Sequence, residues 1–163
     1  LKKHFTADET IPVIGDILLG ALHLHGNGVA HRDIKPNNII FIDSKPKLAD
    51  VGLICLLSEM STWGTFGFLP VDLRYETDIL KWRYRGVDCD LFAVGKVLYL
   101  MLSGYMLGLF PEVSEEVLKD EKGKRLNLIM NKACAETKNE RYQNAKTFYD
   151  ELMCVKQEHH IYG

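Results

Sequence analysis

The sequence predicts a mainly α fold with a small β component (α+β): a helical bundle with one small β-hairpin beside a polar loop. Three observations lead there. Apolar residues recur at helical spacing in four stretches, around residues 12–25, 91–103, 126–133 and 145–155. Between the first two lies a short β-branched run, 38–42, followed by turn chemistry and a second short run, 47–49. And 163 residues, 47% hydrophobic and 26% charged, suffice for one domain, 1–163, with a proper core.

The elements follow in order. Thr6-Ala7-Asp8-Glu9 has the form of a capping box, and Thr10 is a second possible cap. Pro12 is better tolerated in a first turn, which favours the later start. Ile14, Ile17, Leu18, Ala21, Leu22 and His25 then make one buried stripe, stopped by Gly26-Asn27-Gly28. His23 and His25 lie two apart and so on different helix faces, which favours packing or surface roles over a metal site. After the loop 31–39, strand 38–42 turns at 43–46 and pairs with 47–49. Helix 88–103 is apolar on most sides and belongs in the middle of the domain, ending near Ser103-Gly104. Residues 111–123 read as a short polar helix with a loop. Leu126, Ile129, Met130 and Ala133 mark an amphipathic helix. Asn144 caps a last one, with Ala145, Phe148, Leu152 and Val155 facing inward. The tail 157–163 is polar and expected to fray.

Composition narrows the function. A formal charge of −2 offers no broad basic surface for nucleic acid. The longest apolar run, 91–110, holds Lys96 and is interrupted by Gly95, Ser103, Gly104 and Gly108, so no membrane span is expected. Cys55, Cys89, Cys134 and Cys154 show no C-x-x-C spacing and read as reduced thiols in a cytoplasmic protein. The chain opens on Leu1 rather than Met, so it can be a piece of a longer protein.

The run His31-Arg32-Asp33-Ile34-Lys35-Pro36-Asn37-Asn38-Ile39 explains the rest. Within eight residues it gathers an imidazole, a guanidinium, a carboxylate, an ammonium and an amide. Asp33 can accept a proton from a hydroxyl nucleophile. Lys35 can neutralise charge on a phosphoryl group in flight. Asn38 has a carbonyl oxygen suited to a hard cation such as Mg²⁺. Phosphoryl transfer needs these parts: a positioned nucleophile and electrostatic stabilisation.

The run resembles the catalytic loop of eukaryotic-type protein kinases, H-R-D-x-x-x-x-N, with Lys35 giving it the Ser/Thr form. The resemblance implies further roles. Asp50, seventeen residues after Asp33 in Asp50-Val51-Gly52, stands at the Mg²⁺-holding aspartate, with Val51 in place of the phenylalanine that packs on the loop histidine, His31. The activation segment is then 50–72. Its Ser58, Ser61 and Thr62 are possible phosphosites or plain loop hydroxyls, and Arg32 can pair with such a phosphate. Thr65 matches the threonine that contacts the catalytic aspartate and lysine. Pro70-Val71-Asp72 replaces Ala-Pro-Glu, and Asp72 is expected to form a largely buried ion pair with Arg141. Asp90 maps to the carboxylate that anchors the catalytic-loop backbone, and Ile40 to the floor under adenine. Segment 73–87 is longer than the family usually has, a solvated excursion more readily than a docking surface.

The resemblance runs from about Thr6 to Val155 but covers half a kinase. The thirty residues before His31 hold mostly one helix, with no Gly-rich phosphate loop, strand lysine or partner glutamate. It implies the C-terminal lobe of a Ser/Thr protein kinase with ATP and Mg²⁺ as cofactors and a protein substrate. ATP would need the small lobe, and the fragment alone would be nearly inactive. Val51 and the altered Pro70-Val71-Asp72 leave a pseudokinase or scaffold lobe as the alternative. A small-molecule phosphotransferase is a third reading, disfavoured by Lys35, the Thr65 loop and Arg141.

Overall fold

The computed structural model describes residues 4–50, 55–56, 65–78, 85–104 and 110–157. These form helices α1 (Ala7–Gly26), α2 (Gly86–Ser103), α3 (Glu115–Lys119), α4 (Glu121–Ala133) and α5 (Ala145–Gln157), with 3₁₀ turns between them. Strand β1 (Val29–Ala30) pairs antiparallel with β4 (Cys55–Leu56), and β2 (Ile39–Ile42) with β3 (Lys45–Leu48). The described fold is mainly helical with a small antiparallel β component.

Helix α1 starts at Ala7, earlier than its proline suggests. The Thr6 hydroxyl accepts from the Glu9 amide at 3.3 Å, and the Glu9 carboxylate accepts from the Thr6 amide at 2.9 Å. Burial of Ala7, Thr10 and Ile11 adds to this capping box. Pro12 lies on the exposed face, where the Asp8 carbonyl that it leaves without an amide partner can turn to water.

The hairpin turn is tighter than the expected 43–46. Asp43 and Ser44 alone make it, at φ 49° and 63°, the left-handed pair that suits the strand twist. Lys45 and Pro46 therefore enter β3, with Pro46 opposite Phe41. That position lies one pair beyond the turn-flanking pair, where ladder bonds are not exchanged, so the missing N–H costs little. The face with Ile40, Ile42, Lys45 and Lys47 is open to solvent.

Helix α2 begins at Gly86, two residues before the expected start, and is buried from Asp88 through Leu102. It ends on Gly104 in the left-handed conformation, φ 71°, a common helix stop. α1 and α4 pack on it, and α5 lies across α1 and α4. Gly95 lets α4 approach: a Cβ there would come within 2.7 Å of Ala133 Cβ and Cys134 Sγ. The expected loop at 111–123 closes earlier, because Asp120 accepts from the Gly123 amide at 2.9 Å and starts α4 at Glu121. The inward residues of α5 are all buried, and Asn144 accepts from the Thr147 amide at 2.9 Å. Gln157, expected in a frayed tail, closes α5, and 158–163 lie outside the described residues. Among the described residues no helix is long and apolar enough to cross a membrane.

Candidate active site

The polar loop leaves β1 and runs under the start of α2, and one carboxylate fixes its path. Asp90 has no solvent exposure. Its two oxygens accept from the amides of His31 at 2.8 Å and Arg32 at 2.7 Å, and His25 Nε2 sits 2.8 Å from Oδ2. Arg32 is thereby held at φ 65°, a left-handed conformation that a branched or long side chain rarely adopts without such support. His31 is also buried. Its Nε2 hydrogen donates to the Ala49 carbonyl at 2.9 Å while Nδ1 lies 3.4 Å from the Asp33 amide, which ties the loop to the end of β3.

Asp33 stands where these constraints converge. Its Oδ1 accepts from the Thr65 hydroxyl at 2.6 Å and the Thr65 amide at 3.1 Å. Its Oδ2 lies 2.8 Å from Lys35 Nζ and 3.0 Å from Asn38 Nδ2. Lys35 also donates to the Thr65 hydroxyl at 2.8 Å, so carboxylate, ammonium and hydroxyl form one cluster. Partial burial pushes the Asp33 carboxyl up, but hydrogen bonds from Lys35 and Thr65 and the Lys35 charge outweigh it and hold its pKa below the usual value. At neutral pH Asp33 is an ionised acceptor.

The other side of the cluster is lined by oxygen groups that could hold a hard cation. Asn38 commits its amide nitrogen to Asp33, also donating to the Asp33 carbonyl at 2.8 Å, which leaves its amide oxygen for a cation. The Ala49 amide donates to the Asn38 carbonyl at 2.8 Å, and the next residue, Asp50, turns with φ 61° at the same end of the hairpin. One amide and one carboxylate oxygen fit Mg²⁺, which keeps waters and takes phosphate oxygens. Among the described residues no group of three or more His, Cys, Asp or Glu side chains converges as a metal cage.

Asp72 and Arg141 do meet, Oδ1 to Nη2 at 3.3 Å, but the pair is not largely buried. Arg141 is 1% exposed and Asp72 44%. The buried carboxylate is Asp88, 3.1 Å from Arg141 Nε, close enough for charge attraction though not aligned as a hydrogen bond. Arg85 bridges the two acids, 3.0 Å from Asp72 and hydrogen-bonded through Nε to Asp88 at 2.8 Å. Asp72 sits at the surface because the 3₁₀ turn Val71–Leu73 buries Leu73 instead. Partial burial pushes the Asp72 carboxyl up, but Arg85, then Arg141, outweigh it and hold it below the usual range.

Ile40 is 45% exposed on the open hairpin face. Val51, Ser58, Ser61 and Thr62 lie outside the described residues, as does most of the 50–72 segment. Two contributors carry no clear mark in the sequence. His25 looks like one more stripe residue, and its partner is 65 positions away. Arg85 lies inside the supposed excursion 73–87, although its spacing of three from Asp88 at a helix start is a signal that charge pairing could have used.

Residues 1–161 match the family model of the protein kinase domain. The chain belongs to the protein kinase domain family. The kinase domain is also similar to the calcium/calmodulin-dependent protein kinase type II alpha chain of Drosophila melanogaster, 37% identical over 109 residues. That match covers 64% of this chain and 20% of the relative, so the chain spans about a fifth of that protein's length.

Proposed function

We propose that this kinase domain is the large lobe of a Ser/Thr protein kinase, which moves the γ-phosphoryl group of ATP to a protein hydroxyl. The observation that carries the reading is the Asp33–Lys35–Thr65 cluster: an ionised carboxylate with an ammonium 2.8 Å away, locked by a threonine amide and hydroxyl. Asp33 orients the substrate hydroxyl and accepts its proton. Lys35 offsets charge developing on the transferring group. Asn38 and Asp50 would hold Mg²⁺, which when bound neutralises phosphate charge. Ile40 would support adenine. The stretch before His31 is filled mainly by α1, which supports the large-lobe reading.

Regulation fits the same loop. Arg32 is 6% exposed, and its Nε and one terminal nitrogen have no hydrogen-bond partner among the described residues. A buried, unsatisfied guanidinium suits a phosphate on Ser58, Ser61 or Thr62.

The test is phosphoryl transfer to a Ser- or Thr-containing protein by the full-length parent protein, with and without Mg²⁺. Mg²⁺-dependent transfer is expected. The isolated chain of 163 residues should be slower by about 100-fold or more, because the nucleotide is no longer positioned. A full-length protein that binds Mg²⁺–ATP yet never transfers phosphate would overturn the catalytic reading in favour of a scaffold lobe.

A further inference from the structure

We propose that the cavity between the start of α2 and the loop before α5 is a binding site for a small tetrahedral oxyanion of the phosphate class. None of the residues that line it belongs to the Asp33 cluster.

The cavity holds about 130 Å³ and is lined by Val87, Asp88, Lys138, Tyr142 and Gln143. A single water needs roughly 10–15 Å³, so a larger polar guest has room. The walls carry surplus positive charge. Asp88 already has two cations: Arg85 donates to it through Nε at 2.8 Å, and Arg141 Nε stands 3.1 Å away. Asp72 takes a further contact from each arginine. Lys138 adds a third cation, with no acid of its own among the described residues. Glu140, close by in sequence, instead accepts from the Thr137 hydroxyl at 2.6 Å. Three cations thus face two carboxylates, and one negative charge is missing.

Two independent features ask for that charge. The Arg141 guanidinium is 1% exposed, yet its Nη1 has no hydrogen-bond acceptor among the described residues. It stands behind Asp88, and the two residues after it line the cavity. A buried charged donor without a partner is costly and calls for an acceptor. Helix α2, for its part, begins without a side-chain cap, because Arg85 at the cap position offers no acceptor. Its first amides therefore lack intrahelical partners, and the positive end of the helix dipole lies where Val87 and Asp88 border the cavity.

The opposite wall is held in place before any anion arrives. Gln143 Nε2 donates to the Lys138 carbonyl at 2.9 Å and to the Arg141 carbonyl at 2.8 Å, and the Arg141 amide reaches the Lys138 carbonyl at 3.2 Å. A carboxylate brings one charge and two oxygens in a plane. A phosphate brings nearly two charges and oxygens in a tetrahedral array, which suits donors supplied by a helix start and a facing loop. Free phosphate and a phosphate ester share that chemistry.

The experiment melts the full-length protein, without Mg²⁺ or nucleotide, in rising concentrations of inorganic phosphate or of O-phosphoserine, with sodium chloride holding ionic strength constant. A saturable rise in melting temperature over the chloride series is expected, half-maximal at millimolar anion. A stronger response to inorganic phosphate identifies the free ion as the guest, and a stronger response to O-phosphoserine identifies the ester. Lys138 is half-buried on a surface turn, so Lys138→Gln should melt like the parent in chloride and bind the anion about tenfold more weakly, the scale of a lost charged hydrogen bond. Lys138→Arg should keep the parental affinity, because it restores the charge. Melting that follows ionic strength alone overturns the proposal. So does a saturable response that Lys138→Gln leaves at parental affinity, since the anion would then sit elsewhere, at Arg32 above all.

Discussion

Asp90 and Asp72 each tie a loop to the helical body, and they do it by different means. Asp90 is fully buried and takes two backbone amides and one imidazole. Asp72 is 44% exposed and takes only arginine side chains. Amides have no rotamers to search, so a carboxylate that satisfies them dictates the path of the chain and holds Arg32 in a strained conformation. Arginines reach and adjust, and water shares the work. The 31–38 loop is thus fixed from within the fold, whereas the segment around Asp72 is fastened by contacts that salt and pH can loosen.

The sharpest way to break this contrast is Asp90→Ala. It strands two buried amides, each costing about 1–3 kcal/mol when unsatisfied, and releases the strain at Arg32. It should lower the melting temperature more than Arg141→Ala, Lys146→Ala or Asp72→Asn does. Arg141→Ala comes next. Removing a buried guanidinium leaves Asp88, 7% exposed, with Arg85 as its remaining cation, and breaking such a pair costs roughly 3–5 kcal/mol in the general case. The surviving Arg85 contact should place the loss at the lower end. Lys146→Ala is the control: Lys146 and Asp150 are 68% and 54% exposed, and their pair is worth about 0.3–0.5 kcal/mol. Equal melting temperatures for Arg141→Ala and Lys146→Ala would sink the claim that Arg141 is structural.

Lys96 sharpens the comparison from the other side. It lies six residues after Asp90 on α2, buried at 4% exposure, over the Phe110 ring at 3.4 Å. Burial pushes its pKa from 10.5 down to about 8; the Cys134 thiol opposes this shift and the Arg74 charge adds to it. The folded state therefore binds fewer protons than the unfolded chain between about pH 8 and 10.5, and stability should rise with pH across that window. Lys96→Met should raise stability at pH 7 and flatten that rise, read from urea midpoints. A lysine that behaved like a surface one would give no pH slope.

Among the contacts that fasten the loops, the smallest effect belongs to Asp72→Asn, above only the Lys146→Ala control. Solvent shares this contact, so the loss should stay within about 1 kcal/mol at neutral pH and shrink further in high salt. The Asp72 carboxyl is held below its ordinary pKa, so its contribution is present above the unfolded value and disappears as pH falls through the depressed one. The parent should approach the Asp72→Asn variant in strong acid, and a difference that persisted there would assign the effect to something other than charge.

Helices are legible in the sequence where an apolar stripe and a cap coincide, as in α5, whose Asn144 and four inward residues stand where the pattern puts them. Boundaries are less so. Pro12 argues against the true start of α1 because sequence alone does not say which face meets water. The turn is shorter than its residues suggest because Ser44 is an unusual residue for φ 63°. In the site, Asp33, Lys35 and Asn38 announce themselves by type and close spacing, and the structure brings Thr65 to them from 32 positions beyond Asp33. His25 and Arg85 are harder to find. The partner of His25 is chosen by how α1 and α2 pack, and Arg85 is shared between Asp88 on its own helix and Asp72 in a separate turn, a pairing only the folded core brings about.

Asp33 carries the central claim, and one substitution probes it most directly. Asp33→Asn in the full-length protein keeps the size of the side chain and removes its proton acceptor. Mg²⁺–ATP binding, measured by titration calorimetry, should stay within about twofold of the parent, while single-turnover transfer to a serine substrate falls by about 100-fold or more, the range of general-base assistance. Transfer that survives Asp33→Asn at an undiminished rate would contradict the account, because the group around which Lys35, Asn38 and Thr65 assemble would then have no part in moving the proton.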